Sequence, residues 1–270
     1  MQEMKFIHST VNPNAPVAFC SFTAMHTVIE VLFVHEDERK AREICGAVRG
    51  LVTGLEQKLS RHIATSGLSM LNSSSESVAV NEELYFSLEL CEQLRAATGG
   101  YFDIAALSSS RHRPAYETLP AEHKARRCDK GILLDLGGFA KGFALEKVKK
   151  LLAGTYGIGS ALINFGNSSV AGLGHHPLGD CWLVSPAGKE EAHTFRLCNS
   201  ALSISGKTAG VREHIIDPGT GSPASKDKDI AVLGQSALVC EILSTALYAA
   251  PREEWPAMLQ NFAAYKVEEI

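Results

Sequence analysis

An α+β fold is what the sequence predicts, and three features predict it. Helical apolar periodicity is concentrated in the first half of the chain. Strand-like runs, punctuated by Gly, Asn, Asp and Pro, fill most of the second half. The two kinds of segment do not alternate as they would in a parallel βαβ sheet. With 270 residues, 45% hydrophobic and 21% charged, the chain has an ordinary globular composition and enough apolar mass for a large core. That length admits one large domain or two small ones. No internal repeat or low-complexity tract divides it.

The first expected strand is Thr27 to Val34, rich in Val, Ile and Phe. A charged turn, His35 to Arg39, follows. Then Ala41, Ile44, Cys45, Val48, Leu51, Val52, Leu55 and Leu59 recur at helical spacing, the clearest amphipathic helix in the chain. Arg61 to Ser77 reads as a polar loop. Asn81 caps a second helix with Leu84, Leu88, Cys91 and Leu94 on its buried side, and Thr98-Gly99-Gly100 stops it. Residues 111–130 read as a basic, irregular insert, with Arg111, Arg113, Lys124, Arg126, Arg127 and Lys130 against Glu117, Glu122 and Asp129. A solvated surface loop is one reading of it. A lid over an anionic ligand is the other.

An apolar run, Gly131 to Leu134, leads into Asp135-Leu136-Gly137-Gly138-Phe139-Ala140-Lys141-Gly142, and a helical pattern, Ala144 to Leu152, leads out. The expected order is strand, glycine turn, helix. Adjacent glycines permit positive φ and close backbone approach to a ligand. The N-terminus of the new helix suits phosphate. Lys141 adds a mobile cation and Asp135 an acceptor. The competing reading is a tight turn with two solvated side chains. Neither G-x-x-x-x-G-K-[ST] nor G-x-G-x-x-G fits here.

Strands are then expected over Ala161 to Phe165, Ser169 to Leu173, Cys181 to Ser185, Thr194 to Leu197, Val211 to Ile216 and Ile230 to Leu233. Gln235 to Ala250 reads as a helix with Ala237, Cys240, Leu243, Ser244 and Leu247 inward. A short helix near Trp255 to Phe262 and a strand near Tyr265 follow.

The formal charge of −4 argues against a generic nucleic-acid binder. No apolar run is long enough to span a membrane. Met1 to Phe6 lacks a signal-peptide core, so a cytoplasmic protein is expected, or an exported or lipid-anchored one if a leader has been removed. Seven cysteines occur, none in C-x-x-C; Cys45, Cys91 and Cys240 fall on apolar helical faces, and buried free thiols in a reducing compartment are the expected reading. The histidines lack zinc-ligand spacing and no G-x-S-x-G occurs. His214, at a strand end before Asp217-Pro218-Gly219, could touch a ligand, act as acid or base, or be structural. Glu241 and Thr245 lie at i and i+4 on one helix face, where a carboxylate and a hydroxyl could ligate Mg²⁺. An exposed Glu beside a Thr bonded to its own helix is the alternative.

Six pieces, in order, resemble the FAD:protein FMN transferase family, the ApbE-type flavin transferases. Ala24-Met25-His26-Thr27 resembles its Met-Gly-Thr, and Ser66, Ser69 and Asn72 its Ser-x-x-Ser-x-x-Asn. Gly100-Tyr101-Phe102-Asp103 resembles Gly-Ala-Phe-Asp. The Asp135 to Gly142 stretch resembles Asp-Leu-Gly-Gly-Ile-Ala-Lys-Gly, the most specific piece. Asn164-Phe165-Gly166 resembles Asn-Ala-Gly. Ser205-Gly206 followed by His214 to Gly221 resembles Ser-Gly and then His-Ile-Ile-Asp-Pro-x-Thr-Gly.

The resemblance implies an ApbE-like fold of mixed, largely antiparallel sheets flanked by helices, with residues 1–270 forming one domain. It implies an enzyme that uses Mg²⁺ to move FMN from FAD to a Thr hydroxyl of an acceptor flavoprotein, releasing AMP. The alternatives are a hydrolase that makes FMN and AMP, and a non-catalytic flavin-binding or scaffold protein with a degenerate metal site. Met25, Tyr101, Phe102, Asp103, Asp135, Lys141 and His214 would line the flavin site. The Gly138 carbonyl, Glu241 and Thr245 would hold the metal, and Glu241, Asp135 or His214 would carry the proton chemistry. The chain departs from the family pattern in placing Glu241 where Asp is usual, Ile204 for Thr, and Gly166-Asn167-Ser168 for Gly-Gly-Asp.

Overall fold

The computed structural model describes residues 3–186, 193–206 and 215–270. Its strands are β1 Lys5–Ser9, β2 Val17–Ala24, β3 Thr27–Val34, β4 Val78–Ala79, β5 Tyr116–Leu119, β6 Lys124–Arg127, β7 Ala161–Phe165, β8 Ser169–Leu173, β9 Trp182–Val184, β10 Phe195–Leu197, β11 Ser200–Ser205, β12 Ile230–Gly234 and β13 Lys266–Glu269. Its α-helices are α1 Glu38–Leu59, α2 Gly67–Ser73, α3 Glu82–Ala97, α4 Gly137–Lys150, α5 Ala237–Ala249 and α6 Trp255–Gln260.

One sheet of eight strands, in the order β1-β2-β3-β7-β8-β11-β12-β13, organises the molecule. Its pairings are antiparallel throughout. The period-2 alternation of each strand divides its side chains between two faces. Ala171, Ala201, Ile230 and Val232 belong to the main core, whereas their neighbours Val170, Leu202 and Ala231 belong to a smaller cluster with Trp182, Phe195 and Leu197. Helices α1, α4 and α5 pack on the main-core face, and the β9–β10 ribbon packs against β8 and β11. A separate three-stranded sheet, β4-β6-β5, is also antiparallel.

Local chemistry accounts for the helices. Asp37 caps α1 by accepting from the Lys40 N–H at 3.0 Å, and Ala41, Ile44, Cys45, Val48, Val52, Leu55 and Leu59 form its buried stripe. Asn81 caps α3 by accepting from the Leu84 N–H at 2.9 Å. Ser236 caps α5 by accepting from the Val239 N–H at 3.3 Å. Helices α4 and α5 cross closely at Gly142. A methyl group there would lie 2.7 Å from the Glu241 Cβ and 2.9 Å from the Ala237 carbonyl oxygen.

The structure corrects several sequence expectations. Gly131 to Leu134 is not a strand. Its last residue is held instead by the Asn72 side chain, which donates to the Leu134 carbonyl and accepts from the Leu134 N–H. Gly137 and Gly138 are the first residues of α4 and neither has positive φ. The polar loop from Arg61 to Ser77 contains α2, capped by Ser66. The basic insert contains the β5–β6 hairpin, with Arg126 paired to Glu117 across it. Strands β1, β2, β4 and β11 had no counterpart in the sequence reading. Of the expected strand Val211 to Ile216, residues 211–214 lie outside the described residues, and Ile216 makes an isolated bridge to Pro223.

Candidate functional site

A cavity of about 690 Å³ opens where the β2–β3 hairpin, the C-terminus of α1, the segment after α3, the start of α4 and one face of α5 converge. That volume lies in the ordinary range for small-molecule sites. Each segment brings a distinct piece of chemistry to the wall.

The hairpin loop is only two residues long, Met25 and His26, with φ of 51° and 59°. Two positive φ values are what a type I′ hairpin demands, and neither residue is glycine. The Met25 N–H donates to Oε1 of Glu56 at 2.7 Å, which ties the hairpin to α1. His26 meets His62 edge to face, ring centroids 5.1 Å apart, and both line the cavity. Gly166 stands behind this corner with φ +66°, and a side chain there would collide with the Thr27 hydroxyl at 1.9 Å.

After α3 the chain presents Tyr101, Phe102 and Asp103. The Thr98 hydroxyl accepts from the Phe102 N–H at 3.2 Å, fixing the segment to the helix end. Asp103 accepts from the Ala105 N–H at 2.7 Å and pairs with Arg113, and its side chain is only 4% exposed. Burial raises the Tyr101 hydroxyl above its ordinary pKa, helped by the negative charges of Glu254, Asp217 and Glu253. Arg113 and Arg111 come from the basic insert. Arg111 donates to the Ala106 carbonyl and approaches Gly221. The start of the insert thus lies beside the cavity, while its hairpin belongs to the smaller sheet.

Asp135 stands at the entrance to α4. Its Oδ1 accepts from the Gly137 N–H at 2.9 Å, and its Oδ2 lies 2.9 Å from Nε of Arg61. Among the described residues Nε has no well-aligned hydrogen-bond acceptor, so the contact with Asp135 is an ion pair. α4 has no side-chain cap on its own N-cap residue, Leu136. One turn on, Lys141 points across to the β7–β8 turn and to α5. Its Nζ donates to the Ser168 hydroxyl at 2.8 Å and lies 3.1 Å from Oε1 of Glu241.

Glu241 is buried at 4% exposure, and its side-chain partners among the described residues carry donor groups. Besides Lys141 on Oε1, the Ser169 and Ser203 hydroxyls donate to Oε2, the latter at 3.0 Å. From Ser203 a run of hydroxyls continues through Ser244 at 3.1 Å and Ser205 at 2.9 Å to Thr245 at 3.4 Å. Gly138 faces Thr245. A methyl group on it would lie 3.7 Å from the Thr245 hydroxyl oxygen.

The structure therefore brings Met25, Tyr101, Phe102, Asp103, Asp135, Gly138, Lys141, Glu241 and Thr245 to one cavity wall. His214 lies outside the described residues. The wall also contains Glu56, Arg61 and His62, which the sequence reading did not single out, and Ser168, named there only as a departure from the family pattern. Arg113, behind Asp103, was flagged only as part of the basic insert. Among the described residues no group of three or more His, Cys, Asp or Glu could hold a metal. The donors near Thr245 are oxygens.

The chain is 27% identical to the FAD:protein FMN transferase of Treponema pallidum over 83% of its own length and 77% of the relative's. It is 32% identical to the enzyme of the same name from Rhodobacter capsulatus, over 54% of this chain and 29% of that longer protein. The ApbE protein of Thermotoga maritima has the same fold, with a TM-score of 0.80 at 19% identity over 98% of this chain and 94% of that one. The flavinyl transferase ApbE of Pseudomonas stutzeri, in its apo form, gives 0.77 at 18% identity over 94% and 95%. The ApbE family model matches residues 25–267, a span that contains every segment of the cavity wall, and the chain belongs to the ApbE family.

Proposed function

We propose that this protein, acting as one domain over residues 1–270, transfers FMN from FAD to a Thr hydroxyl of an acceptor protein. The hydroxyl oxygen attacks the FMN-side phosphorus. The P–O bond to the bridging oxygen breaks, and AMP leaves with that oxygen. The observation that carries this reading is the gathering of Asp103, Asp135, Lys141, Glu241 and Thr245 on one cavity wall. The names of the relatives support the substrate.

Cleavage of a phosphoanhydride needs charge neutralisation and positioning more than covalent help. Lys141 sits within the cavity and supplies positive charge to the diphosphate. Asp103 and Asp135 are already ion-paired, with Arg113 and Arg61, which suits them to hold polar ligand groups by orientation. Glu241 is saturated with donors and is a weak candidate to take the proton from the hydroxyl. Asp135 is the more open carboxylate, its side chain 26% exposed, and is the better base on the described wall.

The oxygen donors fit a hard divalent cation. Glu241 and Thr245 project from one face of α5, with the Gly138 backbone beside Thr245. Mg²⁺ held there by Glu241, Thr245 and the Gly138 carbonyl would neutralise phosphate charge.

Incubation with FAD and Mg²⁺, with and without a Thr-bearing acceptor, tests the proposal by AMP release. Acceptor-dependent AMP and a flavin-labelled acceptor are expected. AMP without acceptor would make the protein an FAD hydrolase. Absence of AMP in every condition would leave a non-catalytic flavin binder and sink the proposal.

A further inference from the structure

We propose that Lys141 is an exchangeable occupant of the metal site, so that Glu241 becomes available to a divalent cation only when Lys141 leaves it. The inference rests on the reading above, in which a diphosphate and a cation meet in this cavity. It adds an order of events that the residues of this chain impose.

A buried carboxylate needs compensation, and Glu241 has it from within the chain. The Lys141 ammonium lies 3.1 Å from Oε1, and the Ser169 and Ser203 hydroxyls donate to Oε2. With one unit of positive charge already beside it, the carboxylate has no net charge to offer a cation. Two like charges cannot share Oε1 at contact distance without strong repulsion. Cation binding therefore requires the ammonium to move.

Lys141 is built to move. Its side chain is 26% exposed while that of Glu241 is 6% exposed, so the solvent-facing partner is the flexible one. Its second anchor is the Ser168 hydroxyl, a neutral acceptor in the β7–β8 turn. A neutral hydroxyl holds an ammonium less strongly than a carboxylate would. An incoming diphosphate, with its greater negative charge, is the natural competitor for the ammonium. The length of Glu241 lets its carboxylate, rooted on α5 against Gly142, reach this position between Lys141 and the serines.

Mn²⁺ binding to the ligand-free protein, read from the free-ion EPR signal, tests this without turnover. The natural protein should bind Mn²⁺ weakly. Lys141→Met and Lys141→Gln should each bind at least ~10-fold more tightly, because a cation then relieves an uncompensated buried carboxylate. Adding Glu241→Gln to Lys141→Met should abolish the gain. In the natural protein, saturating Mn²⁺ should speed acetylation of Lys141 by acetic anhydride, measured by mass spectrometry. Unchanged or weaker Mn²⁺ affinity in the folded Lys141 variants would overturn the inference, and so would labelling of Lys141 indifferent to Mn²⁺. The Mn²⁺ gain without AMP release would retain the exchange and discard the transferase reading. AMP release without the gain would do the reverse.

Discussion

Asn72 grips the backbone of Leu134 from both sides, donating to its carbonyl at 2.8 Å and accepting from its N–H at 2.9 Å. This amide takes the place of a sheet partner for the strand-like run before Asp135. Asn72→Ala removes both bonds and leaves two backbone groups without these partners. A loss of about 1–3 kcal/mol in stability is expected, with weaker FAD binding because the Asp135 turn loosens. Urea denaturation and FAD titration check the two effects separately.

Arg61→Ala should behave differently. The Arg61–Asp135 pair is partly exposed, so the stability cost should stay within about 1 kcal/mol. Ligand affinity should fall more than stability, because Asp135 loses the cation that orients it at the cavity wall. A melting temperature that drops sharply while FAD affinity is unchanged would assign Arg61 to the fold instead.

For Lys141→Ala, the informative comparison is between two flavins. FAD carries the diphosphate and riboflavin carries none, so FAD should lose far more affinity. Equal losses, measured by equilibrium dialysis, would remove Lys141 from the phosphate end of the site.

The sequence displayed most of the elements around the site, because motif and periodicity are local. α1, α3, β3, β7 and β8 follow from apolar spacing and caps that a reader can count. The residues that the resemblance assigned to the flavin and metal, His214 aside, line one cavity, whereas the motif residues Ser66, Ser69, Asn72 and Asn164 do not. What was hidden is partnership. Arg61 follows the α1 C-cap, Ser60, in a stretch with no periodicity, and only the fold sets it against Asp135. Ser169 and Ser203 are unremarkable strand residues until β8 and β11 pair and α5 covers them. Glycine misled in the other direction. Gly137 and Gly138 suggested a left-handed turn, but they begin a helix, with Gly137 bonded to Asp135 and Gly138 set against Thr245.

The cysteines give a pH-dependent expectation. Burial pushes the Cys240 thiol up to about 12 from the ordinary 9.0. Below 9.0 both folded and unfolded chains hold this proton, and the group's contribution is fully present. Between 9.0 and about 12 the unfolded chain releases it while the fold retains it, so stability falls as pH rises through that window. Buried Cys91 adds to the same trend, its pKa also raised by burial. Urea midpoints should therefore decline on the alkaline side. At about pH 8, exposed Cys198 should react readily with a disulfide reagent, while Cys20, Cys45, Cys91 and Cys240 should need denaturant.

The Met25-His26 turn has a consequence for how a ligand arrives. Each non-glycine residue in the left-handed region costs about 1–2 kcal/mol, so the hairpin tip stores strain in the absence of any ligand. The Glu56 carboxylate offsets part of it by holding the Met25 N–H. That wall of the cavity is thus ordered beforehand, and its conformational entropy is lost during folding rather than during binding. Ligand capture should then proceed at a rate set by encounter rather than by closure of the hairpin, with little heat arising from rearrangement of this corner.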